Sequence, residues 1–124
     1  MNKPHTHIAC VSNIFSKMMH FAFAGDVMDG HKHSHDHLTL LAMGSVKVTV
    51  DGRHTTFTAP QMIYIQAGKE HKLEALADNS LAFCIHAIRD GDSVGDILDP
   101  SMIPEGIEWK DYITELNAKP LIKD

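Results

Sequence analysis

The chain has 124 residues, of which 44% are hydrophobic and 22% charged, and this is the composition of an ordinary globular protein. Its length predicts a single domain over residues 1–124, with one hydrophobic core. The net charge of −5 is uneven: residues 1–89 carry 8 basic and 7 acidic side chains, and residues 90–124 carry 3 and 9. This distribution excludes a basic footprint for nucleic acid. We expect the acidic C-terminal extension to be solvated surface.

Strand signals follow one another from residue 7 to residue 89. The predicted strands cover 18–24, 37–43, 45–50, 53–58, 61–65, 70–76 and 81–89. In the third of these, Val46, Val48 and Val50 share one face because they alternate with polar residues. Asp51-Gly52 then predicts a two-residue hairpin turn. Short strands punctuated at near-regular intervals indicate an antiparallel sandwich or barrel, an all-β fold.

The character of the chain changes after Asp90. Apolar residues recur at i, i+3, i+4 and i+7, namely Trp109, Tyr112, Ile113 and Leu116. This spacing predicts an amphipathic helix over about 107–118, which ends before Pro120. Its apolar stripe could pack on the outside of the barrel, contact a second subunit or cover a pocket as a lid.

No apolar stretch reaches the roughly 20 residues that a membrane-spanning helix needs, and the N-terminal segment lacks the apolar core of a signal peptide. We therefore expect a cytoplasmic protein with no membrane partner. The two cysteines, Cys10 and Cys84, lie far apart and do not indicate a disulfide framework. Cys84 sits in an apolar run and is expected to be a buried free thiol.

Four of the ten histidines alternate within the segment "HKHSHDH", at positions 31, 33, 35 and 37. Residues at i and i+2 of a strand point to the same side, so a His-x-His pair can hold a metal ion through two imidazole nitrogens. The tract is internal, which excludes an expression tag. A His-rich loop that binds metal loosely and a solvated group of surface histidines remain alternatives.

The spacing around this tract closely resembles the first motif of the cupin family. After Gly25 come five residues, His31, one residue, His33, three residues, His37, six residues and Gly44. His37 stands where the family usually has Glu. The second motif is matched less fully: Gly68 and His71 are kept, whereas Pro60, Gln66 and Ala75 replace the Gly, Pro and Asn of the family pattern.

This resemblance implies a cupin-type double-stranded β-helix, or jelly-roll barrel, over about residues 18–89, to which the predicted C-terminal helix is attached. By position, the resemblance implies that His31, His33, His37 and His71 hold a metal inside the barrel. His35 falls between the His-x-His pair and the third ligand. It is expected to contact a ligand residue or solvent, and it would replace a neighbouring ligand if the turn slips by two residues.

Four neutral imidazoles bring no negative charge to the metal, so the ion remains a stronger Lewis acid than in the usual set with one carboxylate. Imidazole suits Fe, Ni, Cu and Zn, and carboxylate favours Mn; the sequence does not choose among these five metals. The resemblance implies a metal-dependent enzyme, a dioxygenase-type oxidoreductase acting on a small organic substrate. A non-catalytic metal or small-ligand sensor and a closed structural metal site are the alternatives.

Three further residues are candidates for catalysis or substrate contact. His86 and His20 each share a strand face with apolar residues, so either could act as a proton shuttle in the pocket or be a core histidine with a satisfied partner. Tyr64 could donate a hydrogen bond into the cavity or lie at its rim. Small cupins resemble one another in pairing through sheet edges, and an unpaired edge invites association. We therefore expect a homodimer.

Overall fold

The computed structural model describes residues 2–11, 14–31, 37–66, 68–87 and 106, and at positions 30, 31 and 37 it describes the backbone. The described residues form nine strands: β1 (His5–Val11), β2 (Ile14–Phe21), β3 (Val27–His31), β4 (His37–Met43), β5 (Ser45–Val50), β6 (Arg53–Thr58), β7 (Gln61–Ile65), β8 (His71–Ala75) and β9 (Ser80–Ala87). The prediction of an all-β fold is confirmed. The predicted C-terminal helix over 107–118 lies outside the described residues.

The strands form two antiparallel sheets. The five-stranded sheet has the order β1-β2-β9-β4-β7, and the four-stranded sheet has the order β3-β8-β5-β6. Strands β4 to β7 have the predicted bounds, whereas β2 begins and ends before the predicted 18–24. The prediction missed β1 and β3. The reason for β3, "VMDGH", is that Asp and Gly are poor strand formers, and this strand is paired through an irregular register.

The core lies between the two sheets and is built by alternation along each strand. In β2, Phe15, Lys17, Met19 and Phe21 are buried, and the residues that alternate with them are half-buried. The β8 residues His71, Leu73 and Ala75 are likewise buried, with half-buried residues between them. Because alternate residues of a strand face opposite sides of its sheet, these patterns define an inner face on each sheet.

Two glycine positions fix the connections of β5. Gly52 and Asp51 both have positive φ, 81° and 49°, as a type I′ turn requires, so the predicted hairpin is confirmed. Gly44 has a φ of 82° and a Cβ there would lie 2.7 Å from the Cα of Ser80. The Oγ of the buried Ser80 donates to the carbonyl of Ala77 at 2.9 Å and accepts from the Ser45 amide at 3.2 Å. Close packing of β9 against this turn therefore requires glycine at position 44. No helix in the described part of the chain is long and apolar enough to cross a membrane.

Candidate metal site

His71 opens β8 on the inner face of the four-stranded sheet. Its side chain is 4% exposed, and its Nδ1 lies 3.3 Å from the backbone carbonyl oxygen of Lys69. When Nδ1–H donates to that carbonyl, the lone pair of the neutral ring is on Nε2. Metal-binding histidines commonly donate their second ring N–H to a backbone carbonyl in this way. The local geometry thus suits a histidine that binds a metal through Nε2.

Position 31 lies directly opposite His71 in the antiparallel pairing of β3 with β8. Residues directly opposite in such a pair lie on the same face, with Cβ atoms about 5 Å apart. The register shifts between Met28 and His31, and irregularities of this kind re-aim side chains near functional sites. Two of the predicted ligands therefore occupy neighbouring positions on one inner face, although 40 residues separate them in the chain.

Position 37 lies on the inner face of the other sheet. It opens β4 and pairs with the buried Ile65 of β7, and Thr39, two residues further on, is also buried. His33 and His35 lie outside the described residues. Within the described residues no group of three or more His, Cys, Asp and Glu side chains is assembled around a common point. The four-histidine set therefore remains a prediction. The backbone brings positions 31 and 71 together and puts position 37 on the facing sheet.

His86 of β9 lies on the same inner face as position 37. It pairs with the buried Phe15 of β2, and its Nε2 atom is buried. In the pairing of β4 with β9, Leu38 lies opposite Ile85 and Thr39 opposite Cys84. Extending this register by one residue brings position 86 opposite position 37. Of the three candidates for a catalytic role, His86 is the one that lies on an inner face directly opposite the position of a predicted ligand.

The other two candidates lie elsewhere. His20 is on the face of β2 opposite to the buried Met19 and Phe21, and its ring stacks on that of His5 with the centroids 6.4 Å apart. Tyr64 is 66% exposed at the rim of a cavity. The structure therefore separates His20 from the inner face and places Tyr64 at the rim.

That cavity has a volume of about 640 Å³ and lies where the edge strands β6 and β7 of the two sheets face each other. Its apolar walls include Val48, Val50, Phe57, Ile63 and Ile65. Val50 is the direct partner of His71, and Ile65 is the direct partner of position 37. The cavity therefore adjoins predicted ligand positions on both sheets.

No family model matches the chain, and no curated protein matches it. Solved structures do match. KdgF from Halomonas sp. is 20% identical, with 70% of this chain and 80% of that chain covered and a TM-score of 0.60. A cupin superfamily protein from Desulfitobacterium hafniense is 16% identical, with 72% and 83% covered and a TM-score of 0.59. A cupin 2 conserved barrel domain protein from Leptotrichia buccalis is 24% identical, with 68% of this chain and 41% of that chain covered and a TM-score of 0.61.

The chain has the cupin fold. The double-stranded β-helix implied by the histidine motif is confirmed, and a protein with a double-stranded β-helix domain from Klebsiella pneumoniae also matches, at a TM-score of 0.62. At these identities the likeness concerns the fold alone, and the cupin fold hosts many unrelated activities.

Inside the cupin barrel, the structure reveals a residue that the sequence analysis did not single out. Lys17 is 3% exposed on the inner face of β2, and its Nζ lies 3.8 Å from the Sδ of Met28. Lys17 occupies a position in the alternation Phe15, Lys17, Met19 that is otherwise apolar. The sequence signal for this residue was a lysine that alternates in step with apolar residues along a strand. Such a lysine stands out because lysine is almost never buried without a partner.

Cys84 lies directly opposite Lys17 and is a free thiol, as predicted. Its Sγ lies 3.5 Å from the Oγ1 of Thr39. Burial raises the pKa of the Cys84 thiol above the usual value of 9.0, and this outweighs the opposing effects of the Thr39 hydrogen bond and the Lys17 charge. The inner face of the five-stranded sheet thus presents a thiol that stays protonated at neutral pH, opposite the buried side chain of Lys17.

Proposed function

We propose that this chain is a metal-dependent cupin enzyme in which His31, His33, His37 and His71 hold a divalent transition metal. The observation that carries the proposal is the buried His71, which has its Nδ1 beside the Lys69 carbonyl and lies directly opposite position 31. Imidazole nitrogens suit Fe, Ni, Cu and Zn, whereas carboxylate ligands favour Mn. The donor chemistry therefore fits a transition metal better than a hard ion such as Mg²⁺.

The activity we propose is that of a dioxygenase-type oxidoreductase acting on a small organic substrate. The metal would supply Lewis-acid and redox chemistry. The chain itself would supply the apolar walls that orient the substrate and exclude water, and His86 would hold or move a proton at Nε2. This role for His86 is supported by the β4–β9 register, which extends to bring position 86 opposite position 37, and by the burial of the His86 Nε2.

Replacement of His71 tests the metal site. His71→Ala should weaken metal binding by at least about tenfold, because changes to residues that merely support a ligand already cost about 10–100-fold. His54→Ala is the matched control, since His54 is an exposed histidine on β6 of the same sheet. Metal content is measured on full-length protein from the native host, and circular dichroism reports whether each variant is folded. A folded His71→Ala protein with unchanged metal content would contradict the proposal.

His35→Ala sharpens this assignment. It should leave the metal content near that of the wild type, because His35 falls outside the cupin ligand positions. A loss of metal comparable to that of His71→Ala would mean that the tract is shifted by two residues and that His35 is itself a ligand.

A second function, ligand binding without turnover, is favoured by the cavity of about 640 Å³, because its apolar walls can hold a small molecule whether or not it reacts. A third reading is a structural metal site closed by four protein ligands. Azide distinguishes the two kinds of site: it should change the absorption spectrum of the iron- or copper-loaded protein where a coordination position is open. Oxygen uptake in the presence of substrate then separates the enzyme from the sensor.

We also propose a homodimer. Within the described residues, the edges of the two sheets are strands β1, β7, β3 and β6, and an unpaired edge strand invites pairing with a second chain. Light scattering at micromolar concentration should give about twice the chain mass of 13.8 kDa. A monomer mass would contradict this proposal and leave the metal site unaffected.

A further inference from the structure

One row of cross-strand partners crosses the whole four-stranded sheet at the candidate metal site. Position 31 pairs with His71, His71 with Val50, and Val50 with Arg53. All four positions therefore lie on the inner face. Because neighbouring strands are about 4.8 Å apart, the Cα atoms of His71 and Arg53, two strands apart, are separated by about 10 Å. A small molecule can span that distance.

Of the two basic side chains that line the cavity, Arg53 is the one that can bind an anion. Arg53, Lys69 and Asp51 all line the cavity. The Nζ of Lys69 lies 3.2 Å from a carboxylate oxygen of Asp51, so this lysine is already neutralised. Among the residues that the structure describes, none provides Arg53 with a carboxylate partner. The guanidinium group is always charged and presents paired N–H donors that match a carboxylate.

The remaining walls define the rest of the ligand. Beside Arg53, Thr55 and Phe57 line the cavity from β6, and Ile63 and Ile65 line it from β7. These side chains suit a hydrocarbon body. The volume of about 640 Å³ falls within the range of about 300–1,000 Å³ that is typical of small-molecule sites.

We propose that this cavity binds a small organic carboxylate, with the carboxylate on Arg53, the apolar body between β6 and β7, and the opposite end directed toward His71. The inference rests on the proposed function where it directs that end toward a metal. The Arg53 contact itself depends only on the cavity and the strand register.

The test is a titration of the full-length protein, with and without bound metal, by isothermal calorimetry. The probes are benzoate, phenylpyruvate and glutarate, with benzamide as the uncharged counterpart of benzoate. The wild type should bind at least one of the carboxylates and should prefer benzoate to benzamide. Arg53→Gln should weaken carboxylate binding at least about tenfold, because hydrogen bonds to charged groups are the strong ones. Arg53→Lys should recover part of that loss, since the charge returns without the paired donors.

Lys47→Gln is the matched control. Lys47 is a half-exposed cation on β5 that lies near Glu74, away from the cavity-lining residues. Its replacement removes the same charge and should leave carboxylate binding unchanged. Carboxylate affinity should also fall as salt rises, because an exposed ion pair is screened.

The proposal is overturned if the wild type binds none of the three carboxylates, if Arg53→Gln binds them as well as the wild type does, or if Lys47→Gln weakens binding equally. Equal affinity for inorganic phosphate and for all the carboxylates would also overturn it, because the apolar walls would then contribute nothing. Metal content separates this outcome from failure of the proposed function. Wild-type protein that holds no metal contradicts the metal site, whereas the titration of metal-free protein still reports on Arg53.

Discussion

The two ends of the barrel interior are built from the same strands but differ in how they are filled. At one end, Val46 and Ala75 pair directly and are almost fully buried, and Gly44 packs against the buried Ser80. At the other end, four residues along β5, Val50 pairs with His71 and with the exposed Arg53 at the cavity. The packed end holds the fold together, and the open end carries the ionisable groups. The comparison teaches that the same strands can be tightly packed at one end and present ionisable side chains at the other.

The largest effect should come from removing a large side chain at the packed end. Phe21 is fully buried, and Phe21→Ala should lower the free energy of unfolding by about 3–5 kcal/mol. Phe57→Ala removes the same group from the half-buried cavity wall and should cost less than about half as much. Chemical denaturation of both variants measures the difference. Equal losses would mean that the cavity wall at Phe57 is packed as tightly as the core around Phe21.

The next effect concerns the open end and depends on pH. Imidazole must be neutral to bind a metal, and its reference pKa is about 6.5. Acidification from pH 7.5 to 5 should therefore release the metal, with more than one proton taken up per ion. If two protons compete, the affinity falls about 100-fold per pH unit. Metal-free protein that loads fully at pH 5 would indicate a carboxylate ligand in place of the all-histidine set.

Gly44→Ala should have an intermediate effect and should act at the packed end. The substitution forces a side chain into positive φ and against Ser80, and strain of this kind costs about 1–3 kcal/mol. Gly52→Ala is the matched control, because its φ is also positive but nothing lies within 4 Å of a Cβ there. A smaller loss for Gly52→Ala would isolate the cost of the Ser80 contact. Equal losses would attribute the whole effect to the backbone.

The smallest effect should come from Cys84, between the two ends. Burial raises the pKa of this thiol above 9.0 in the folded protein. Above about that pH the unfolded chain loses the thiol proton first, so the free energy of unfolding should fall as the pH rises from 8 to 10. Cys84→Ala should remove part of this decline, and Cys10→Ala should retain it. Identical pH profiles for Cys84→Ala and the wild type would contradict the shift.

Alternation and turn chemistry were enough to predict the strands that form the central part of the chain. The β5–β6 hairpin follows directly from Asp51-Gly52, and the inward side of β5 follows from its valines. The weakly apolar β1 and the Gly-containing β3 were missed because their residues do not form strong strand patterns. The histidine spacing led to the cupin fold, which the solved structures bear out.

Cross-strand neighbours could not be predicted from the same signals. Alternation tells which face a residue occupies, but not which residue of a distant strand lies beside it. The partnership of position 31 with His71, and the placement of Arg53 two strands from His71, depend on three separate registers. Lys17 was missed for another reason: the predicted strand 18–24 begins one residue after it, whereas β2 runs from Ile14 to Phe21 and has Lys17 on its inner face.

The two-residue turn at Asp51-Gly52 joins β5 to β6, the strand that carries Arg53. The turn brings Arg53 of β6 directly opposite Val50. A shift of one residue in the β5–β6 register would turn Arg53 to the outer face of β6 and His54 to the inner face, because side chains alternate with a period of two. The histidines of β3, β4 and β8 would keep their positions. If the cavity binds the proposed carboxylate, changes in the β5–β6 hairpin can alter ligand preference while the strands that carry positions 31, 37 and 71 stay the same.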